Sequence, residues 1–227
     1  TLLTSALGIV RNTRRLEGEF TQKGRPAVAV GFGAYVEVPL GRAAAKLGIP
    51  LVLHEQNSVP GLANKMLARH AHTLALTYPV AQQAFEGRLG AQTRVCQTGN
   101  PVRRQILAPT RDEARSKLGI PLDATVLLVF GGSLGALHIN QVVAALKDRI
   151  LGCEGLYVVH GTGARDYEEE LGLLSLTDEQ AKRWRVLKYI DDMGSALAAA
   201  DLVLSRAGAS SIAEIAARNV PSLLVPY

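Results

Sequence analysis

Apolar residues along the chain gather in short, largely apolar runs, at 27–30, 51–53, 73–77, 124–130, 156–160, 186–189, 202–204 and 223–226. Runs of this length without polar alternation suit strands buried on both faces. Between them lie segments with helical spacing or alanine-rich composition. These are residues 2–19, a stretch from Gly33 through Lys46, 61–70, 140–150, a charged segment before 186, 191–200 and 210–218. Strand, loop and helix in regular alternation predict an α/β protein with parallel sheets covered by helices. The pattern breaks once. Gly99-Asn100-Pro101 is followed by a polar, charged stretch to Asp123, read as a connection with a short helix, after which the alternation restarts. Two α/β units joined near residue 100 are expected, and ligands are sought in the loops after the strands.

Composition narrows the field. With 227 residues, 48% hydrophobic and 20% charged, the chain can bury one large core or two small ones. Aromatics at 5% argue against stacking platforms for single-stranded nucleic acid, and no nucleic-acid partner is expected. Read alone, the net charge of +5 points weakly to anionic partners and fits a phosphorylated ligand or an anionic membrane surface as well as it fits nucleic acid. Its arginines cluster at Arg11, Arg14 and Arg15 and at Arg103, Arg104, Arg111 and Arg115; solvated helix faces explain both clusters equally well. Cys96 and Cys153 stand far apart, which fits a reducing compartment and a cytoplasmic chain. No apolar run reaches membrane-span length and no signal peptide is visible. Thr1 lies inside an apolar stretch and the last strand-like run ends the chain, so an interior fragment of a longer protein is expected.

Candidate chemistry sits after the strands. In Ser205-Arg206-Ala207-Gly208-Ala209-Ser210-Ser211-Ile212-Ala213-Glu214 a strand breaks at glycine and a helix begins. Amide groups and the positive end of such a helix can hold an anion, and a carboxylate one turn in can hold ribose hydroxyls. Ser211-x-x-Glu214 also fits a capping box that binds nothing, and from this segment alone the cap leads. Gly131-Gly132-Ser133-x-Gly135 lets backbone approach a phosphate, although it is neither a Walker loop nor a dinucleotide fingerprint. His54-Glu55-Gln56-Asn57, placed in a loop, can present polar groups to a sugar or cap a turn. Asp191-Asp192 supplies too few ligands for a metal and better suits a helix start. His70, His72, His138 and His160 lack ligand spacing, so no metal is assigned. Gly161-Thr162-Gly163 is a flexible loop that could border a ligand. The apolar side of residues 2–19, with its following arginines, is either core or an interfacial patch.

Taken in order, six segments resemble the MurG family of N-acetylglucosaminyltransferases. They are Gly31-Phe32-Gly33-Ala34-Tyr35-Val36, His54-Glu55-Gln56-Asn57 with Gly61-Leu62-x-Asn64-Lys65, Gly99-Asn100-Pro101-Val102-Arg103, Gly131-Gly132-Ser133-x-Gly135-Ala136, Tyr189-Ile190-Asp191-Asp192-Met193 and Ser205-Arg206-x-Gly208-Ala209 with Glu214-Ile215. The resemblance implies a GT-B fold, two Rossmann-like domains with parallel sheets facing across a cleft, both incomplete here. Residues 1–102 would belong to the acceptor- and membrane-facing domain and 103–227 to the donor domain. The implied reaction is an inverting transfer of N-acetylglucosamine from UDP-N-acetylglucosamine to the C4 hydroxyl of the muramoyl sugar of undecaprenyl-linked lipid I, giving lipid II for peptidoglycan. Neither cofactor nor metal is implied.

Residue by residue, Ser211 with the backbone of Ala209, Ser210, Ile212 and Ala213 matches the phosphate-holding loop, and Glu214 the ribose-binding glutamate. Ile190 matches the position whose backbone reads uracil. Ser133 and Arg103 match donor contacts near the pyrophosphate. Asn57 matches a polar group at the sugar end, with Tyr35, His54, Gln56 and Asn64 as further cleft-facing candidates. Leu2, Leu3, Leu7, Arg11, Arg14 and Arg15 resemble a peripheral membrane-docking surface on the cytoplasmic face. The family's Gly-rich loop with its histidine is expected before Thr1, and its donor-contacting glutamines after Tyr227. No catalytic base is therefore assigned, and the fragment alone is expected to be inactive. Leu134 stands where the family usually has glutamine, and Ser210-Ser211 where it has Leu-Thr. Two alternatives stay open: a UDP-N-acetylglucosamine 2-epimerase, against which the arginine-flanked apolar N-terminal segment argues, and a non-catalytic UDP-sugar-binding module.

Overall fold

The computed structural model describes residues 2–132 and 135–226, with side chains from residue 7 onward. The chain divides into two compact units between Asn100 and Pro101. Ser133 and Leu134 lie outside the described residues, as do the side chains of Leu2 and Leu3.

The first unit contains α1 (Leu2–Lys23), β1 (Ala29–Gly31), α2 (Glu37–Leu47), β2 (Leu51–Glu55), α3 (Leu62–Leu67), β3 (Thr73–Leu76) and β4 (Arg94–Gln97). Its sheet runs β1-β2-β3-β4, all parallel. The core gathers Leu51, Leu53, Leu67, Leu74, Leu76 and Phe85 between sheet and helices. β4 is absent from the apolar pattern because it is an edge strand, Arg94-Val95-Cys96-Gln97, exposed at both ends. β2 extends two residues past the apolar run. Its register with β3 continues through His54↔Ala75 and Glu55↔Leu76, so His54 and Glu55 are strand residues rather than loop residues. Pairing with a neighbouring strand continues the ladder where hydrophobicity stops.

The second unit opens with α4 (Arg104–Leu107) and α5 (Arg111–Leu118), then β5 (Thr125–Phe130), α6 (Leu137–Ala145), α7 (Lys147–Leu151), β6 (Leu156–Gly161), α8 (Tyr167–Leu174), α9 (Asp178–Ala181), β7 (Trp184–Leu187), α10 (Met193–Ala199), β8 (Leu202–Arg206), α11 (Ala209–Ala217) and β9 (Ser222–Val225). The stretch expected as a connection with one short helix therefore holds two. α5 is started by a capping box, with Thr110 and Glu113 satisfying each other's backbone N–H groups.

This sheet is ordered β7-β6-β5-β8-β9, all parallel. Strands are added first on one side of β5 and then on the other, so the order reverses between β5 and β8. That reversal opens a crevice at the carboxyl ends of the strands. The register levels those ends: Phe130 pairs with both Gly161 and Ser205, and Gly161 with Leu187. Four loops therefore leave the sheet at one height.

Candidate functional site

Those four loops enclose a cavity of about 270 Å³. Phe130 and Gly132 line it from the end of β5, Gly161 and Gly163 from β6, and Lys188, Tyr189, Ile190 and Asp191 from β7. Ser210, Ser211 and Glu214 line it from α11, with Arg103 and Met193 completing the wall. Of the residues singled out from the sequence, Arg103, Ile190, Ser210, Ser211 and Glu214 meet here. Ala209, Ile212 and Ala213 lie on α11 but do not face the cavity. Gly163 comes from the loop expected to border a ligand and Met193 from the Tyr189–Met193 segment, whereas Lys188 carried no sequence signal and is brought in by the level strand ends.

The start of α11 bears on the capping reading of Ser211-x-x-Glu214. The helix begins at Ala209 with Gly208 as its N-cap, extended at φ −77° and ψ 141°, a residue with no side chain to make the cap. Ser211 is thus the third helical residue, and the capping box expected from the spacing does not form. The physical reason is local: glycine accepts the N-cap conformation, and Ala209 has high helix propensity, so the helix starts three residues earlier than that box requires. The first turn of a helix is where backbone amides lack intrahelical acceptors, and Ser210 and Ser211 of that turn line the cavity. Positive potential from the helix end favours an anion. Glu214, one turn on, is paired with Arg103 at 3.4 Å, the arginine largely exposed and the carboxylate mostly covered. Amides and hydroxyls for an anion, a carboxylate for hydroxyls, and cations at Arg103 and Lys188 converge on one space.

Close packing fixes the cavity's far wall. A Cβ on Gly161 would lie 2.7 Å from Ile190 Cδ1, so Ile190 packs directly on the glycine backbone. Beyond Asp191, Asp192 is the N-cap of α10: its carboxylate accepts from Ser195 N at 3.0 Å, Ser195 Oγ at 2.6 Å and Lys117 Nζ at 2.6 Å. Lys117 and Ser195 hold the Asp192 carboxyl down to about 2. Asp192→Ala is expected to cost about 1 kcal/mol of stability, measured by thermal unfolding. Because the folded value is depressed from 3.8, the contribution is complete above that pH and is lost as pH falls through about 2.

In the first unit, Glu55 is a buried hub at the end of β2. Its carboxylate accepts from Asn57 N at 3.0 Å, Asn57 Nδ2 at 3.1 Å, Gly61 N at 3.1 Å and Asn64 Nδ2 at 2.9 Å. Asn64 is fully buried and also donates to the His54 carbonyl. His54, also buried, donates from Nε2 to the Gly99 carbonyl at 2.9 Å, leaving Nδ1 to accept from Gln56 Nε2 at 3.2 Å. The polar group expected in a loop is thus an internally bonded network that shapes residues 56–61, with Asn57 exposed at its edge. A carboxylate with asparagines two and nine residues on was the available signal for Glu55. Tyr35 stands apart from this network. It lines a groove of about 360 Å³ with Ile9, Asn12, Arg15, Leu16 and Val36. Leu7, Val10, Arg11, Arg14 and Arg15 are exposed on the adjoining α1.

Comparison with known proteins supplies context for both units. Residues 126–227 match the glycosyltransferase family 28 C-terminal domain, and residues 4–76 match the N-terminal domain of the same family. The UDP-N-acetylglucosamine--N-acetylmuramyl-(pentapeptide) pyrophosphoryl-undecaprenol N-acetylglucosamine transferase of Desulforudis audaxviator is 42% identical over 99% of this chain. The chain spans 60% of that relative's length. The crystal structure of MurG from Acinetobacter baumannii is 31% identical, with a TM-score of 0.66 over 98% of this chain and 58% of that one. A Listeria monocytogenes structure assigned as a UDP-N-acetylglucosamine 2-epimerase gives a TM-score of 0.74 over 95% of this chain and 61% of that one. At 14% identity it shares the fold alone. The fold class expected from the sequence, α/β of the GT-B glycosyltransferase type with two parallel sheets, holds.

Proposed function

The chain belongs to glycosyltransferase family 28, and on that premise we propose that it carries the UDP-sugar site of an inverting N-acetylglucosaminyltransferase that converts lipid I to lipid II. The observation that carries this reading is the cavity at the carboxyl ends of β5 to β8, where Ser210 and Ser211 from the first turn of α11, Glu214 and Arg103 converge. In it the donor's pyrophosphate lies against Ser210, Ser211 and the amides of the first turn. Glu214 accepts from the ribose hydroxyls, exchanging its Arg103 partner for them. The uracil lies at the 188–191 loop, against Ile190.

The chemistry is a single displacement. The muramoyl C4 hydroxyl of lipid I attacks the anomeric carbon of N-acetylglucosamine, its proton passes to a base, the bond to the β-phosphate oxygen breaks, and UDP leaves. Negative charge grows on that oxygen as the bond breaks. The helix end, the serine hydroxyls and Arg103 are already oriented toward it, so little reorganisation accompanies the step. The Glu55 network fits an acceptor-side scaffold, holding Asn57 at the edge of residues 56–61. Among the described residues no helix is long and apolar enough to cross a membrane. The exposed Leu7 and Val10 beside Arg11, Arg14 and Arg15 suit peripheral contact with an anionic surface.

A relative 42% identical supports transfer, whereas the epimerase reading rests on fold likeness at 14% identity. The product decides. Full-length protein given UDP-N-acetylglucosamine and a lipid I analogue is expected to release UDP and form the disaccharide lipid. An unglycosylated acceptor with free N-acetylmannosamine in solution would replace this reading with epimerisation.

A further inference from the structure

Behind the cavity wall lies a polar assembly in an otherwise apolar layer. Asn140 on α6, His160 on β6 and Thr162 just beyond it are each fully buried, among Ile139, Val143, Val158 and Trp184. Asn140 Nδ2 donates to the Thr162 carbonyl at 2.9 Å, and its Oδ1 lies 3.1 Å from His160 Nε2. Because the amide nitrogen is committed to Thr162, Oδ1 is the acceptor and His160 Nε2–H the donor. Burial pushes the His160 pKa down to about 4, so the ring is neutral and this tautomer is fixed. Thr162 is also tied through its own N–H to Leu187 O at 3.0 Å.

We propose that Asn140 and His160 are positioning residues for the nucleotide site, a buried clamp that sets where the 161–163 wall stands. Gly161 and Gly163 face the cavity without side chains, so their placement depends on Thr162 between them. Its carbonyl is also where the turn after β5 docks: a side chain on Gly135, at φ 83°, would collide with Thr162 O. On the other side, Gly161 supports Ile190. A shift of this one peptide therefore reaches the β5 turn and the 188–191 loop together. Replacing a buried polar pair by apolar groups of the same shape is often neutral for stability, so packing alone does not call for this arrangement.

The role rests on the UDP reading above, and the test separates the two. Calorimetry with UDP is run on the protein and on Asn140→Ala, His160→Leu and His160→Gln, all shown folded by circular dichroism at the working temperature. The dissociation constant is expected to rise about 10-fold or more for Asn140→Ala and His160→Leu, which lose the clamp. His160→Gln keeps a donor toward Asn140 and is expected to stay within about 3-fold of the parent. If Asn140→Ala does not fold, the contrast between His160→Leu and His160→Gln carries the test. Hydrogen exchange is expected to quicken at 161–163 in the weakened variants while the rest of β6 stays protected. Parent binding with unimpaired Asn140→Ala and His160→Leu would overturn the clamp alone, even if both melt earlier. No UDP binding by the parent would overturn the nucleotide reading, and this role with it.

Discussion

Glu214→Ala is expected to weaken UDP binding by about 10- to 100-fold while leaving the fold intact. On the proposed reading the carboxylate accepts from two ribose hydroxyls. Hydrogen bonds to a charged group contribute about 1.5–3 kcal/mol, and each 1.4 kcal/mol is tenfold in affinity. Its stabilising role without ligand is small. It makes no cap for α11, and its one ion pair, with Arg103, is largely exposed on the arginine side; such pairs contribute about 0–1 kcal/mol. Calorimetry at fixed ionic strength checks the first half of this expectation and a melting curve the second. A variant that binds UDP like the parent but melts several degrees earlier would return Glu214 to a structural role.

The second large effect concerns stability. Arg115→Ala is expected to lower the unfolding free energy by about 3–5 kcal/mol, as expected for removing one partner of a buried charged network. Arg115 is completely buried. Its guanidinium donates to the carbonyls of Ala199, Pro121 and Leu122 and pairs with Asp201 at 2.8 Å. These bonds join α5, the turn before β5 and the entry to β8. Asp201 also accepts from Val126 N at 2.8 Å and pairs with Arg111. Urea denaturation reads the loss as a lower midpoint at unchanged slope. Arg111→Ala, on the half-exposed arm of the same network, is expected to cost about 1 kcal/mol or less. Burial alone would raise the Asp201 carboxyl, but Arg111, the Val126 N–H and Arg115 outweigh it and hold the group below the ordinary value. The network's contribution is accordingly complete at neutral pH and fades as the solution is acidified through the carboxylate range. A midpoint shift of less than about 1 kcal/mol for Arg115→Ala would show that the carbonyls find other partners.

Much of this was legible in the chain. The run 124–130 reads as a buried strand because nearly every side chain in it is apolar, and β5 buries Val126, Leu128 and Phe130 on one face and Val129 on the other. Asp192 reads as a helix start because a carboxylate ahead of a run of small residues has an obvious use for its charge, and it is the N-cap of α10. Elements fixed by their neighbours were harder to see. β4 has no apolar signature and exists because β3 offers it a parallel edge. His54 and Glu55 look like loop residues and are strand residues for the same reason. The Arg103 to Arg115 cluster, read as one basic group, separates into an exposed cation at the cavity and a buried structural one.

The sequence by itself determined the alternation of strands and helices, the break near residue 100, and the order of the motifs. These follow from local periodicity, propensity and turn chemistry, which act between residues close in the chain. Only the tertiary structure decided that α11 starts at Ala209, ahead of the Ser211 capping box, and that its first turn, Arg103, Ile190 and Glu214, grouped before only by the family resemblance, line one cavity. It alone showed that a buried asparagine and histidine stand behind the wall. Those facts depend on the level ends of four parallel strands, which hydrogen bonding across the sheet sets and no local stretch encodes.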